Sequence, residues 1–194
     1  MTPLTPPKYP APHEYKTMDD LYSQALHYSA FTLSKGRIIQ PAIFILSADG
    51  PPALMIWTHD FNDEKAKDNF VIACRIFGIA HAATHTLITV EAWALAEVGP
   101  KPTCMPSESP NRIEVVNFIT ETKTISGPSG VHTRPIIRDG NGQFFGFGDD
   151  LAGPTAAKIR TRFYPILGPE LHYPTELRMA AKASLATLGY APAR

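Results

Sequence analysis

The sequence carries no excess charge of either sign: 18 lysines and arginines face 18 aspartates and glutamates. A protein whose main task is to coat duplex nucleic acid or an anionic membrane normally presents a basic surface, so neutrality argues against both. Cysteine is scarce, and the two present, Cys74 and Cys104, have no metal or redox spacing. A disulfide framework is thereby excluded and a reducing compartment is expected. Long apolar runs are missing, because the longest are broken at Gln40–Pro41 and at Pro51–Pro52. None reaches the roughly 20 residues that cross a bilayer. The opening segment MTPLTPPKYPAP has neither a basic nor an apolar stretch, so it does not read as a secretory signal. The expectation is a soluble, cytoplasmic protein with no membrane association.

What is present is a chain of 194 residues, 44% of them hydrophobic, enough for one domain with a sizeable core. Proline is abundant at 19, concentrated at the N-terminus and around residues 100–110. Such prolines favour extended, tethering segments over helix or central strand. Residues 1–16 therefore read as an extended arm, and residues 17–194 as a single α/β domain.

The stretch from Asn62 to Trp93 organises that domain. Asn62 or Asp63 can cap a helix, since a short side-chain oxygen there accepts from an orphan backbone N–H. Ala66, Phe70, Ala73, Cys74, Phe77 and His81 recur at three- and four-residue steps and share one face. After Ala83 the period changes, and Thr86–Ala94 is β-branched and apolar on both faces, as in an interior strand. Upstream, Thr17 is placed to cap a helix whose stripe is Leu21, Ala25, Tyr28 and Leu33, with Gly36 as its stop. Ile38–Leu46, delayed by Pro41, and Ala53–Thr58 form a hairpin around Asp49–Gly50.

Downstream, residues 112–122 read as a fourth strand, with a bulge or two-sided burial at Val115–Val116. Val131–Arg138 and Gln143–Phe147 form a further pair across Asp139-Gly-Asn-Gly. Thr155–Phe163 and Pro174–Leu188 read as helices, the second with Leu177, Ala181, Leu185 and Leu188 as its stripe. The order is α-β-β-α-β-β-β with an extra short strand and C-terminal helices. This is an α/β fold of the α+β type, with a mainly antiparallel sheet of five to six strands.

That element order resembles profilin-like and roadblock-like folds, in which an antiparallel sheet carries helices; scaffolds of this kind host many tasks and imply none. A second resemblance lies in VEAW followed by PSESPNRIEVVNF, between Val90 and Phe118. A strand ending in Glu-Ala-Trp, then Pro-Ser-Glu, a proline and an Arg-x-Glu strand, is similar to a family of small bacterial and phage proteins. The resemblance covers about 30 residues and brings no activity with it.

The densest polar set is His59, Asp60, His81, His85 and Glu91. His81 and His85 stand four apart, the spacing that sets two imidazoles on one helix face for zinc, with His59 or Glu91 as a third ligand. The zincin glutamate is absent, Ala82 standing in its place, and the helix is ending there. His59, Asp60 and Glu91 are the catalytic candidates of that reading, Glu91 as a general base. Structurally, Glu91 is a carboxylate in an apolar strand that needs a partner, and Arg112 at the start of the next strand offers a planar fork. Arg134, Arg138 and Arg160 are candidates for binding a nucleotide or another small ligand, against the plainer reading of a solvated charged face. Gly142–Asp150 lacks phosphate-loop spacing, and neither cysteine has a histidine at a telling position.

The sequence is best read as a non-enzymatic binding or regulatory protein, acting on a protein partner or on itself. A metal-dependent hydrolase and a small-ligand binder are the alternatives. No cofactor is expected, zinc entering only with the hydrolase.

Overall fold

Local chemistry starts both long helices. Asp20 N donates to Thr17 Oγ1 at 3.2 Å, and Thr17 N donates to Asp20 Oδ2 at 2.9 Å. This reciprocal capping box satisfies two donors and opens α1, Met18–Ser34. Gly36, at φ +67°, lies just past its C-cap Lys35. For α2, Glu64–Ala80, the cap is Asp63, whose Oδ1 accepts from Ala66 N at 2.6 Å. Ala82 then takes φ 49°, a left-handed conformation that costs an L-residue about 1–2 kcal/mol. That single residue turns the chain directly into β3, Ala83–Leu95.

The computed structural model describes residues 15–59, 61–95, 108–123, 129–151, 163, 165–168 and 172–190. The arm up to residue 14, Asp60, Cys104, Arg160 and all but Phe163 of the helix expected over Thr155–Phe163 lie outside these. The remaining elements are β1 (Ala42–Ser47), β2 (Ala53–Ile56), β4 (Arg112–Thr122), β5 (Gly130–Arg138), β6 (Phe144–Phe147) and α3 (Thr175–Thr187). The six strands form one antiparallel sheet in the order β2-β1-β3-β4-β5-β6. Among the described residues, no helix is long and apolar enough to cross a membrane.

Strand alternation divides the core into two layers. Ala42, Phe44, Leu46, Leu87, Val116 and Phe118 pack under Leu21, Ala25 and Tyr28 of α1. Ile43, Ile45, Ile88, Val90 and Ile119 pack under Phe70, Ala73, Cys74 and Phe77 of α2, and α3 lies on α2 through Ala181 and Leu185. Val115 and Val116 are both buried with no register break in β4, so two-sided burial, not a bulge, explains their apolar pair. The irregularity falls at Leu46/Ser47 instead. The stripe expected on α3 is only half right. Leu177 and Leu188 are 41% and 40% exposed, because α3 meets α2 along a narrow line and not across a sheet.

One buried carboxylate ties the C-terminal segment down. Glu121 on β4 accepts from Ile166 N at 2.7 Å and from Leu167 N at 3.2 Å. Burial raises its pKa even so, while the two backbone donors pull the other way.

Phe77, 6% exposed, presses α2 onto the sheet side of this core. Phe77→Ala should lower the unfolding free energy by about 3–5 kcal/mol in urea denaturation, the usual cost of a buried ring. A loss below about 1 kcal/mol would contradict the packing described.

Candidate functional site

The site begins with a mismatch in strand length. β1 pairs with β3 only as far as Ala42 opposite Thr89, whereas β3 continues to Leu95. Pro41 still reaches toward β2, its carbonyl accepting from Trp57 N at 2.7 Å. Residues 38–41, just before β1, form no ladder with β3. Val90–Leu95 pair with β4 along one edge and, among the described residues, have no strand along the other. The space left there is an open cleft of about 990 Å³. Its walls are residues 38–41, Thr58–His59, Phe61–Asn62 and the first turn of α2, with Phe163 above.

Two of the residues singled out from the sequence, His59 and Glu91, line this cleft. Glu91 Oε2 accepts from Ile39 N at 3.1 Å, across the gap that β1 vacates. That bond draws the carboxylate toward the open edge, and Oε1 has no hydrogen-bond partner among the described residues. Asn117 Oδ1 accepts from Thr133 Oγ1 at 2.8 Å, which leaves its amide N–H groups for the cleft. Lys67 and Glu64 pair with each other at 2.9 Å. Phe61 and Phe163 stack at 6.3 Å, and the His59 ring packs on Trp57 at 4.9 Å and Tyr190 at 5.9 Å.

Arg112 was the expected partner of Glu91. The register sets Glu91 opposite Val116 and Arg112 opposite Leu95, with the pair Trp93–Glu114 between them on the same face. The Arg112 guanidinium lies over the Trp93 ring at 4.4 Å, while Glu91 bonds to Ile39. Glu114 receives Arg138 instead, at 2.7 Å. A partner on the backbone 52 residues away leaves no sequence signal.

The structure separates the two histidines of the zinc reading. α2 ends at Ala80, so the four-residue spacing no longer defines a helix face. His81, at the C-cap, packs its ring on Phe77 at 4.6 Å, on the α2 side. His85 pairs with Leu46 and so turns to the α1 side, its Nδ1 lying 3.0 Å from Thr84 Oγ1. Among the described residues, no group of three His, Cys, Asp or Glu is placed to hold a metal ion.

The arginines stand on the α1 face of β5. Arg134 Nε donates to Tyr22 OH at 3.2 Å and its Nη1 to Gly148 O at 3.0 Å. Arg138 also donates to Gly142 O at 3.3 Å. Both are engaged with their own fold, and they hold the hairpin end against α1 and β4. Next to them is a pair that sequence reasoning missed: His132 Nδ1 lies 2.6 Å from Asp150 Oδ2, whose other oxygen accepts from Thr133 N at 2.8 Å. In the sequence Asp150 stands only at the end of the Gly142–Asp150 stretch, and the strand alternation of β5 gives no hint of that partner.

No family model matches the chain, and no curated protein or solved structure matches it either.

The two histidines make a pH prediction. Burial lowers the pKa of His81, helped by the charges of Lys182 and Arg178, and burial alone lowers that of His85. The unfolded chain therefore binds more protons than the native one as pH falls below the ordinary histidine value near 6.5. Their contribution to stability is present above that value and is lost on acidification. His81→Gln should reduce the drop in unfolding free energy between pH 7.5 and pH 5.5, measured by urea denaturation. An unchanged drop would remove His81 from the account.

Proposed function

We propose that this chain is a non-enzymatic binding protein that takes an extended segment of a protein partner as an added strand on the β3 edge. The observation that carries the reading is the overhang itself. Val90–Leu95 belong to the longest strand of the sheet and pair throughout with β4, yet along the other edge Val90 to Trp93 open on the cleft. Strand addition draws its affinity from main-chain hydrogen bonds and its specificity from pockets beside alternate side chains. An open strand edge is a standing template for such pairing. The cleft supplies aromatic surface from Phe61, Trp93 and Phe163 and polar groups from Glu91 and Asn117 beside that edge.

The alternatives have less support. A metal-dependent hydrolase would keep His59 and Glu91 in the cleft, but His81 and His85 lie on opposite sides of the sheet. A nucleotide site at Arg134 and Arg138 would have to displace their bonds to Tyr22, Gly148 and Glu114.

Short random peptides selected on the immobilised full chain test the proposal. Enriched peptides should lose binding when alternate backbone amides are N-methylated, and keep it when the intervening set is methylated, because only one edge of an added strand faces β3. Equal tolerance of both sets would contradict strand addition.

A further inference from the structure

We infer that the segment taken up by the cleft carries a lysine or arginine beside Glu91, a neutral residue beside Trp93 and apolar residues at the alternate positions; this rests on the added-strand reading. On an added strand, the residue next to Glu91 shares its face, with Cβ atoms about 4.5–5.5 Å apart. The bond from Ile39 N turns the Glu91 carboxylate toward that position and occupies only Oε2. A half-buried carboxylate with one oxygen unpartnered among the described residues is completed by a cationic donor, since a charge taken from water needs a partner.

The neighbouring position on the same face is different. There the Arg112 guanidinium lies over Trp93, so a second basic residue would meet a like charge. The intervening positions turn to the α2 side, where Val90, Ala92, Phe61 and Phe163 line the cleft, with Asn117 behind Val90 as an uncharged polar group. Lys67, on that side, pairs with Glu64 at 2.9 Å, so together they present no net charge to the incoming segment. Charge complementarity thus selects a single basic residue within an apolar alternation.

The test uses the full chain and a synthetic probe, acetyl-Val-Thr-Val-Lys-Val-Thr-Val-amide, with analogues in which Lys is replaced by Gln or by Glu. The Lys peptide should bind about tenfold more tightly than the Gln peptide at low ionic strength, the Glu peptide should be weakest, and added salt should narrow the gap. In Glu91→Gln the preference for Lys over Gln should vanish. The substituted amide keeps an oxygen to accept from Ile39 N, and an unchanged melting temperature will establish that the fold is kept. Equal binding of the Lys and Gln peptides to the native chain, or a Lys preference that survives in Glu91→Gln, overturns the inference. An N-methylated Lys probe separates the two failures. Binding lost on methylation without a Lys preference leaves strand addition standing and removes the basic residue. Binding that tolerates methylation of every amide removes strand addition, and so does the absence of binding by all three peptides, and the inference falls with it.

Discussion

The pairing of β3 with β4 is the constraint on which the rest of the structure depends. It runs without a break from His85 opposite Thr122 to Leu95 opposite Arg112, the longest ladder in the sheet. Every other strand reaches this ladder through one of its two members. β1 attaches to β3 and brings β2 with it, while β5 attaches to β4 and brings β6. Both helical layers use the same ladder as a floor: Leu87, Val116 and Phe118 lie beneath α1, and Ile88, Val90 and Ile119 beneath α2. Each such side chain contributes about 1.5–3 kcal/mol when fully buried. A ladder buried on both faces cannot slip by one residue without exchanging the two cores.

The same rigidity creates the cleft. β4 pairs with β3 to its full length, but the ladder between β3 and β1 stops at Ala42 opposite Thr89. The overhang that results is paired with β4 along its whole length, unlike a frayed strand end. Fraying would cost an added strand the entropy of ordering both partners, whereas here only the incoming segment is ordered on binding. Glu91 stands just past the end of the β1 ladder, and its bond to Ile39 N spans the gap.

Much of this fold was legible because its determinants are local. Thr17 and Asp63 cap helices through neighbours three residues away, and Asp139 makes the β5–β6 turn by accepting from Asn141 N and Gln143 N at 2.9 Å each. The switch from helix to strand near Ala83 showed as a change of period. What the sequence withheld depends on distant partners. The exposure of Leu177 and Leu188 follows from α3 packing on a helix. The bonds of Glu91 to Ile39, Glu121 to Ile166 and Leu167, and Asp150 to His132 join residues 18–52 positions apart. Of the candidate site, His59 and Glu91 were marked for the metal chemistry they suggest. The cleft that unites them arises from a difference in strand length, which only the assembled sheet defines.

The central claim is that Val90–Leu95 form an ordered strand with one open edge. Residue-by-residue amide hydrogen exchange of the free, full chain tests it most directly. The account predicts a period of two along this stretch, with amides that point to β4 exchanging slowly and the intervening ones exchanging quickly, against uniform protection in Thr86–Thr89. Uniform protection from Val90 to Leu95 would mean that the edge is already covered. Uniformly fast exchange would mean that the overhang is frayed, and either result would contradict the account.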